Sequence, residues 1–255
     1  MRKITTVLTL IILGFPFRPA AAGEAATIML AAAASLRYSL VDELIPAFRA
    51  KHPRITVEGT YDSSGKLQAQ IENGLAADVF MSAAPRQMKA LVDGGFISAA
   101  EVVNLLENRI VLIVPAGGGT RVTGFADLAA AETVALGDPG SVPAGQYARE
   151  ALTSLGIWDL VSARASFGAN VTEVLNWVAE GSAEAGVVYA TDAATTPKVR
   201  VLAGAPEGSL ASKVLYPVAP LKGSIHPGEA RLLVEFLQSD EALAVFEKYG
   251  FTPNR

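Results

Sequence analysis

RIVLIVP, from Arg109 to Pro115, decides the architecture. A short unbroken apolar run of this kind marks a strand buried on both faces, as in the interior of an α/β sheet. The Gly117-Gly118-Gly119 loop closes it. On its N-terminal side, strand-like and helix-like segments alternate. Thr27–Ala32 reads as a strand, and Ser35 opens a helix with Leu36, Leu40, Leu44 and Phe48 on one face. Pro46 falls inside that pattern, so a kink or break is expected there. Ile55–Thr60 is the next strand; Ser64 opens a helix through Leu67 and Ile71 that Gly74 stops. Asp78–Ser82 is a strand, and Pro85 starts the helix of Met88 and Leu91.

The alternation continues on the C-terminal side. Thr133–Gly137 is a strand, and Ala144–Leu155 a helix ended by Gly156. Asn170 caps a helix that buries Val171, Val174, Leu175 and Val178, with Glu173 completing a capping box. Ala185–Ala190, Lys198–Ala203 and Val214–Ala219 are strands, the last interrupted by Pro217. Helices over Pro227–Gln238 and Asp240–Tyr249 finish the chain. Such alternation predicts an α/β fold of open, mostly parallel sheets flanked by helices. The buried run comes midway, after a full set of strand–helix units, which points to two lobes.

The N-terminus sets the compartment. Arg2 and Lys3 precede an apolar stretch from Ile4 to Phe15, and Ala20-Ala21-Ala22 offers a small-residue cleavage site. This reads as a signal peptide, residues 1–22, cut after Ala22, leaving an exported, periplasmic chain from Gly23 to Arg255. The stretch is too short to span a bilayer, which takes roughly 20 apolar residues. No later segment is long and apolar enough, so the cleaved chain is not expected to span a membrane. Acylation as a lipoprotein would need a cysteine, and the chain has none. Disulfides, thiolate zinc sites and thiol catalysis fall with it. The net charge is −4, and three of the 21 basic residues (Arg2, Lys3, Arg18) lie in the leader. An acidic chain without basic clusters is not expected to bind nucleic acid.

Catalytic templates fail. The two histidines, His52 and His226, each precede a proline at a helix end and read as solvated. Neither H-E-x-x-H nor G-x-S-x-G occurs. Ser64-Gly65-Lys66-Leu67 imitates a phosphate loop but has Thr60 where the first glycine belongs and no hydroxyl residue after the lysine. The pairs Asp42/Glu43 and Asp240/Glu241 read as helix-surface charges. No catalytic residue and no cofactor is assigned, and a secreted hydrolase using Ser35 or Ser64 lacks a placed base.

What remains is a set of helix starts at Ser35, at Ser63-Ser64, at Ala144 and at Val171. Each exposes unpaired N–H groups and a positive dipole end. A serine there either caps its own helix or turns its hydroxyl to an anion, and sequence alone leaves both open.

Several stretches, in order, resemble periplasmic molybdate-binding proteins of ABC transporters. They are Ala32-Ala33-Ala34-Ser35-Leu36, Ser63-Ser64-Gly65-Lys66-Leu67, Ala77-Asp78-Val79-Phe80, Gly137-Asp138-Pro139 with Val142-Pro143-Ala144-Gly145, Gly186-Val187-Val188-Tyr189, and Tyr216-Pro217-Val218-Ala219. The resemblance covers essentially the whole mature chain. It implies a two-lobed type II periplasmic-binding fold, with one lobe from residues 23–108 and 215–255 and the other from 109–214. It also implies molybdate as ligand, with tungstate expected beside it as an ion of nearly the same size, and the permease of an ABC importer as partner; a monomer is the default expectation. Carried over residue by residue, the anion ligands are the hydroxyls of Ser35 and Ser64, the backbone N–H groups of Ala144 and Val171, and the hydroxyl of Tyr189. Asp62 and Glu107 depart from the family pattern, and a carboxylate at Asp62 would repel a dianion unless it points away. A sensory domain of the same fold, or a binder of sulfate, phosphate or ferric ion, is the alternative.

Overall fold

The computed structural model describes residues 25–254; the signal peptide read from the sequence lies outside them. Among the described residues, eleven strands and ten α-helical segments alternate. The strands are β1 (Ala26–Ala33), β2 (Ile55–Asp62), β3 (Val79–Met81), β4 (Val103–Asn108), β5 (Ile110–Pro115), β6 (Val134–Gly137), β7 (Ala165–Gly168), β8 (Ala185–Tyr189), β9 (Val199–Gly204), β10 (Val214–Pro220) and β11 (Thr252–Pro253). The helices are α1 (Arg37–Ser39), α2 (Ile45–Lys51), α3 (Ser64–Glu72), α4 (Pro85–Asp93), α5 (Pro143–Ser154), α6 (Trp158–Ser162), α7 (Val171–Ala179), α8 (Ala190–Ala193), α9 (Pro227–Leu237) and α10 (Asp240–Lys248).

Two sheets organise them. The first runs β11-β4-β10-β3-β1-β2 and the second β7-β6-β8-β5-β9. Each is mixed. β1 is parallel to β2 and β3, while β10 runs antiparallel to both β3 and β4. In the second sheet β6 is parallel to β7 and β8, and β5 is antiparallel to β8 and β9. The parallel strands are those whose ends feed helices, which is where a crevice forms in α/β folds. Val214 pairs with Asn108 in the first sheet.

β5 is buried along Ile110–Val114, with the second sheet's helices and neighbouring strands covering it. Leu36, Leu40, Leu44 and Phe48 are likewise inaccessible to solvent. Each such side chain contributes about 1.5–3 kcal/mol of transfer free energy. Pro46 does not break that helical run. The run continues through a π turn over Leu40–Leu44, where the Ile45 N–H bonds the Leu40 carbonyl, and this wider bonding just ahead of Pro46 accommodates the proline without ending the helix. Pro217 does disturb its strand: the β10–β4 register shifts between Tyr216 and Pro217. Among the described residues, no helix is long and apolar enough to cross a membrane.

The chain passes between the sheets at Asn108–Ile110 and again after Gly204. These crossings are tied together. The Ala205 N–H donates to the Ile110 carbonyl, and Lys213 pairs with Glu107 at 2.7 Å. Glu107, which departs from the family pattern, therefore has a partner on the neighbouring crossing strand.

Candidate functional site

Strand ends and helix starts from the two sheets meet at one small internal cavity. From the first sheet come Ala33, Ala34 and Ser35 after β1, Asp62, Ser63 and Ser64 after β2, and Ala83 after β3. From the second come Val142, Pro143 and Ala144 after β6, Val171 at the start of α7, and Tyr189 at the end of β8. All five residues proposed from the sequence, Ser35, Ser64, Ala144, Val171 and Tyr189, line this cavity. It is tight: the centre of a water-sized sphere has about 10 Å³ of room. That is close to the space a single water requires.

Local chemistry explains why these positions present donors. Neither Ser35 nor Ser63 caps its own helix. Ser64 Oγ accepts a hydrogen bond from the Ala83 N–H at 3.0 Å, which leaves its proton free to point elsewhere. Ser35 Oγ lies 2.9 Å from the Tyr216 hydroxyl. The Arg109 N–H donates to Asn108 Oδ1 at 2.8 Å and so fixes the Asn108 amide. Asn108 Nδ2 then donates to Thr191 Oγ1 at 2.9 Å and to the Tyr216 oxygen at 3.2 Å. Either hydroxyl of the Ser35–Tyr216 pair can be the donor; when buried Tyr216 donates, the Ser35 proton is free to point into the cavity. A relay from the crossing strands thus stands behind Ser35.

The other wall is made of helix N-termini. α5 starts with Pro143 and has no side-chain cap, so its early N–H groups, that of Ala144 among them, are left for whatever occupies the cavity. Glycine makes this geometry accessible. A Cβ on Gly145 would stand 2.0 Å from the Gly137 carbonyl, so only glycine lets α5 pack this closely on β6. At α7 the Asn170 side chain accepts from the Glu173 N–H at 3.0 Å. Glu173 reaches back to the Ala169 N–H at 2.6 Å, one residue ahead of the cap. The Val171 N–H is not used by this box. Tyr189 is almost fully buried, and its hydroxyl donates to the Ala83 carbonyl at 3.1 Å. To donate into the cavity it must turn from that carbonyl. Burial drives the Tyr189 and Tyr216 pKa values well above the usual phenol range, so both remain protonated donors at neutral pH.

The two sheets' elements are clasped around this space. The Gly65 N–H donates to the Ser141 carbonyl at 2.9 Å, and Gln87 Nε2 to Gln146 Oε1 at 3.1 Å. Asp62 Oδ1 accepts from the Ser63 N–H at 2.7 Å and from Asn170 Nδ2 at 3.3 Å. Its other oxygen is 3.5 Å from Lys66 Nζ. The carboxylate that seemed out of place in the sequence is therefore engaged on both oxygens.

Ser63, read from the sequence as part of a helix start but not among the five anion ligands, has a buried hydroxyl that lines the cavity without a partner; the Asn108–Tyr216 relay was not anticipated. Ser63 stood in the quoted motif and had that signal. The relay had none, because its members lie far apart in the chain. Asp192, just after Tyr189, was also passed over. It is buried, one of its oxygens has no partner, and burial pushes its pKa up to about 7 against the opposing pull of nearby backbone N–H groups.

Known proteins resemble this chain over most of its length. YvgL of Bacillus subtilis, named provisionally as an ABC transporter substrate-binding lipoprotein, is 45% identical over 89% of this chain and 86% of its own length. The molybdate-binding protein ModA of Haemophilus influenzae is 35% identical over 99% of this chain and 98% of its own. The periplasmic molybdate-binding protein of Azotobacter vinelandii shares the fold, with a TM-score of 0.77, 20% identity, and coverage of 89% of this chain and 100% of that one. Residues 28–252 match the family described as bacterial extracellular solute-binding protein. With nearly the whole of its described length matched, and with helix starts from both sheets closing on one cavity, the chain belongs to that family of non-enzymatic transport components.

Proposed function

We propose that this protein captures a fully deprotonated tetrahedral oxyanion, molybdate and with it tungstate, and delivers it to the permease of an ABC importer. The observation that carries the reading is the convergence of Ser35, Ser64, Ala144, Val171 and Tyr189 on one cavity. The groups these residues offer are neutral donors. A dianion without protons presents only acceptors, so hydroxyls and helix-terminal N–H groups replace its hydration without a buried countercharge. Asp62 is turned to its own partners, with Oδ1 accepting from Ser63 and Asn170 and Oδ2 facing Lys66, and the five donor positions supply no acceptor for the O–H of a protonated anion such as hydrogen phosphate. Relatives named for molybdate at 35% and 34% identity support the choice of ligand.

The moving bodies in this reading are residues 23–108 with 215–255, and 109–214, of a monomer exported after cleavage behind Ala22. Closure of one on the other buries the anion and reports its presence to the transporter. Isothermal titration of the chain from Gly23 onward tests the ligand. One-to-one binding of molybdate and tungstate with sulfate weak or silent is expected. Equal binding of sulfate would turn the reading to a general oxyanion carrier, and no heat with any of them would overturn it. Sulfate has its own support, since the sulfate-binding protein SubI of Mycobacterium tuberculosis has the same fold at a TM-score of 0.77.

A further inference from the structure

We propose that Asp62 is a closure latch, holding Asn170 across the cleft at the rim of the anion cavity and thereby setting how long a captured anion stays. The proposal rests on oxyanion capture as its setting. Asp62 ends β2, directly before Ser63 and Ser64; Asn170 stands directly before Val171. The bond between them, 3.3 Å from Asn170 Nδ2 to Asp62 Oδ1, thus joins the two walls at the residues adjoining their candidate donors.

Three features suit the pair to this work. Asn170 is already oriented, because its Oδ1 accepts from the Glu173 N–H as the cap of α7. Little side-chain freedom is lost when its amide then meets Asp62. Asp62 is oriented too, by the Ser63 N–H and by Lys66 one helical turn on, which also draws its charge away from the cavity. Finally, the other cross-cleft bonds named above, Gly65–Ser141, Gln87–Gln146 and Tyr189–Ala83, join neutral groups. The Asp62 contact is the one among these with an ionised acceptor; at 3.3 Å it is also the longest, so its contribution is that of a weak charge-assisted bond. A carboxylate at this place opposes a dianion by charge and favours it by closure, and the latch requires that closure outweigh the repulsion.

The test uses the full mature chain and molybdate as the probe. Trp177 lines the outer cleft beside Asn170 and reports closure by its fluorescence. In stopped flow, Asp62→Ala is expected to release molybdate about fivefold faster with association within about twofold of wild type, the size of one partly exposed charge-assisted bond. Asp62→Asn keeps an acceptor for Asn170 and is expected to recover most of the loss. Unchanged or slower release from Asp62→Ala, as relief of repulsion would give, overturns the latch; so does Asp62→Asn releasing as fast as Asp62→Ala. Failure of the wild type to bind any oxyanion would instead remove the proposed function. The latch is then read without ligand, by small-angle scattering, where Asp62→Ala is expected to raise the radius of gyration and an unchanged radius overturns it.

Discussion

Replacing Gly65 by alanine separates closure from folding. Gly65 lies in the first turn of α3, and its N–H bonds the Ser141 carbonyl across the cleft. A Cβ built there stands 2.4 Å from the Ser141 oxygen and 2.8 Å from its Cα, about 1 Å short of ordinary contact with backbone atoms that cannot swing aside. The two walls must therefore part by about that much. A 2.9 Å hydrogen bond stretched by about 1 Å is no longer one. An anion held by the first sheet's serines would then lose good geometry to Ala144, Val171 and Tyr189. Donors to a charged group contribute about 1.5–3 kcal/mol each, so the loss of even two predicts at least about a hundredfold weaker binding. Within its own lobe the methyl group meets no obstacle named above, and alanine favours a helix over glycine by about 1 kcal/mol. The ligand-free melting temperature should therefore hold or rise slightly. Titration calorimetry with molybdate, alongside thermal melting without it, measures both. Binding within about threefold of wild type would refute the link between cleft contact and affinity, as would a large fall in the ligand-free melting temperature.

Three further outcomes are expected. Ser35→Ala and Ser64→Ala should each weaken molybdate binding by about 1–3 kcal/mol in calorimetry while leaving circular dichroism unchanged; two silent mutants would remove both from the site. Tyr216→Phe breaks the relay behind Ser35, so molybdate affinity should fall about as far as in Ser35→Ala, and adding Ser35→Ala on top should cost little more in a double-mutant cycle. Asp192→Asn addresses pH: the native pKa is raised to about 7, so the carboxyl is protonated without penalty below its unfolded value and costs stability as pH rises through 7. The mutant should melt a few degrees above wild type at pH 8 and level with it at pH 4, and a pH-independent difference would deny that Asp192 titrates in the fold.

Much of this site was legible because it is built from local signals. Asn170 with Glu173 announced a helix start, Ala144 another, and Ser63-Ser64 after a strand a third; the cap at Asn170 forms with the predicted bond. The apolar run of β5 was equally plain, being buried on nearly every residue. Elements that depend on neighbours were not legible. β7 is an edge strand with two exposed residues and no apolar alternation, and β11 has two residues held only by β4. Nor does any local rule place Tyr216 beside Ser35, 181 residues away, or Asn170 beside Asp62, 108 residues away. Asp62 looked like an error of charge when read alone; Ser63 and Lys66 beside it supply part of its compensation, and Asn170, which no local rule reveals, supplies the rest. Pro46 shows the reverse case, a strong local breaker accommodated by a π turn one step earlier.

The central claim is that one anion sits among Ser35, Ser64, Ala144, Val171 and Tyr189. Crystals grown with tungstate, with data collected at the tungsten absorption edge, test it most directly. A single strong anomalous peak is expected within hydrogen-bonding reach of the two serine hydroxyls and the two helix-terminal N–H groups. A peak elsewhere, or none in crystals of protein that binds tungstate in solution, would contradict it.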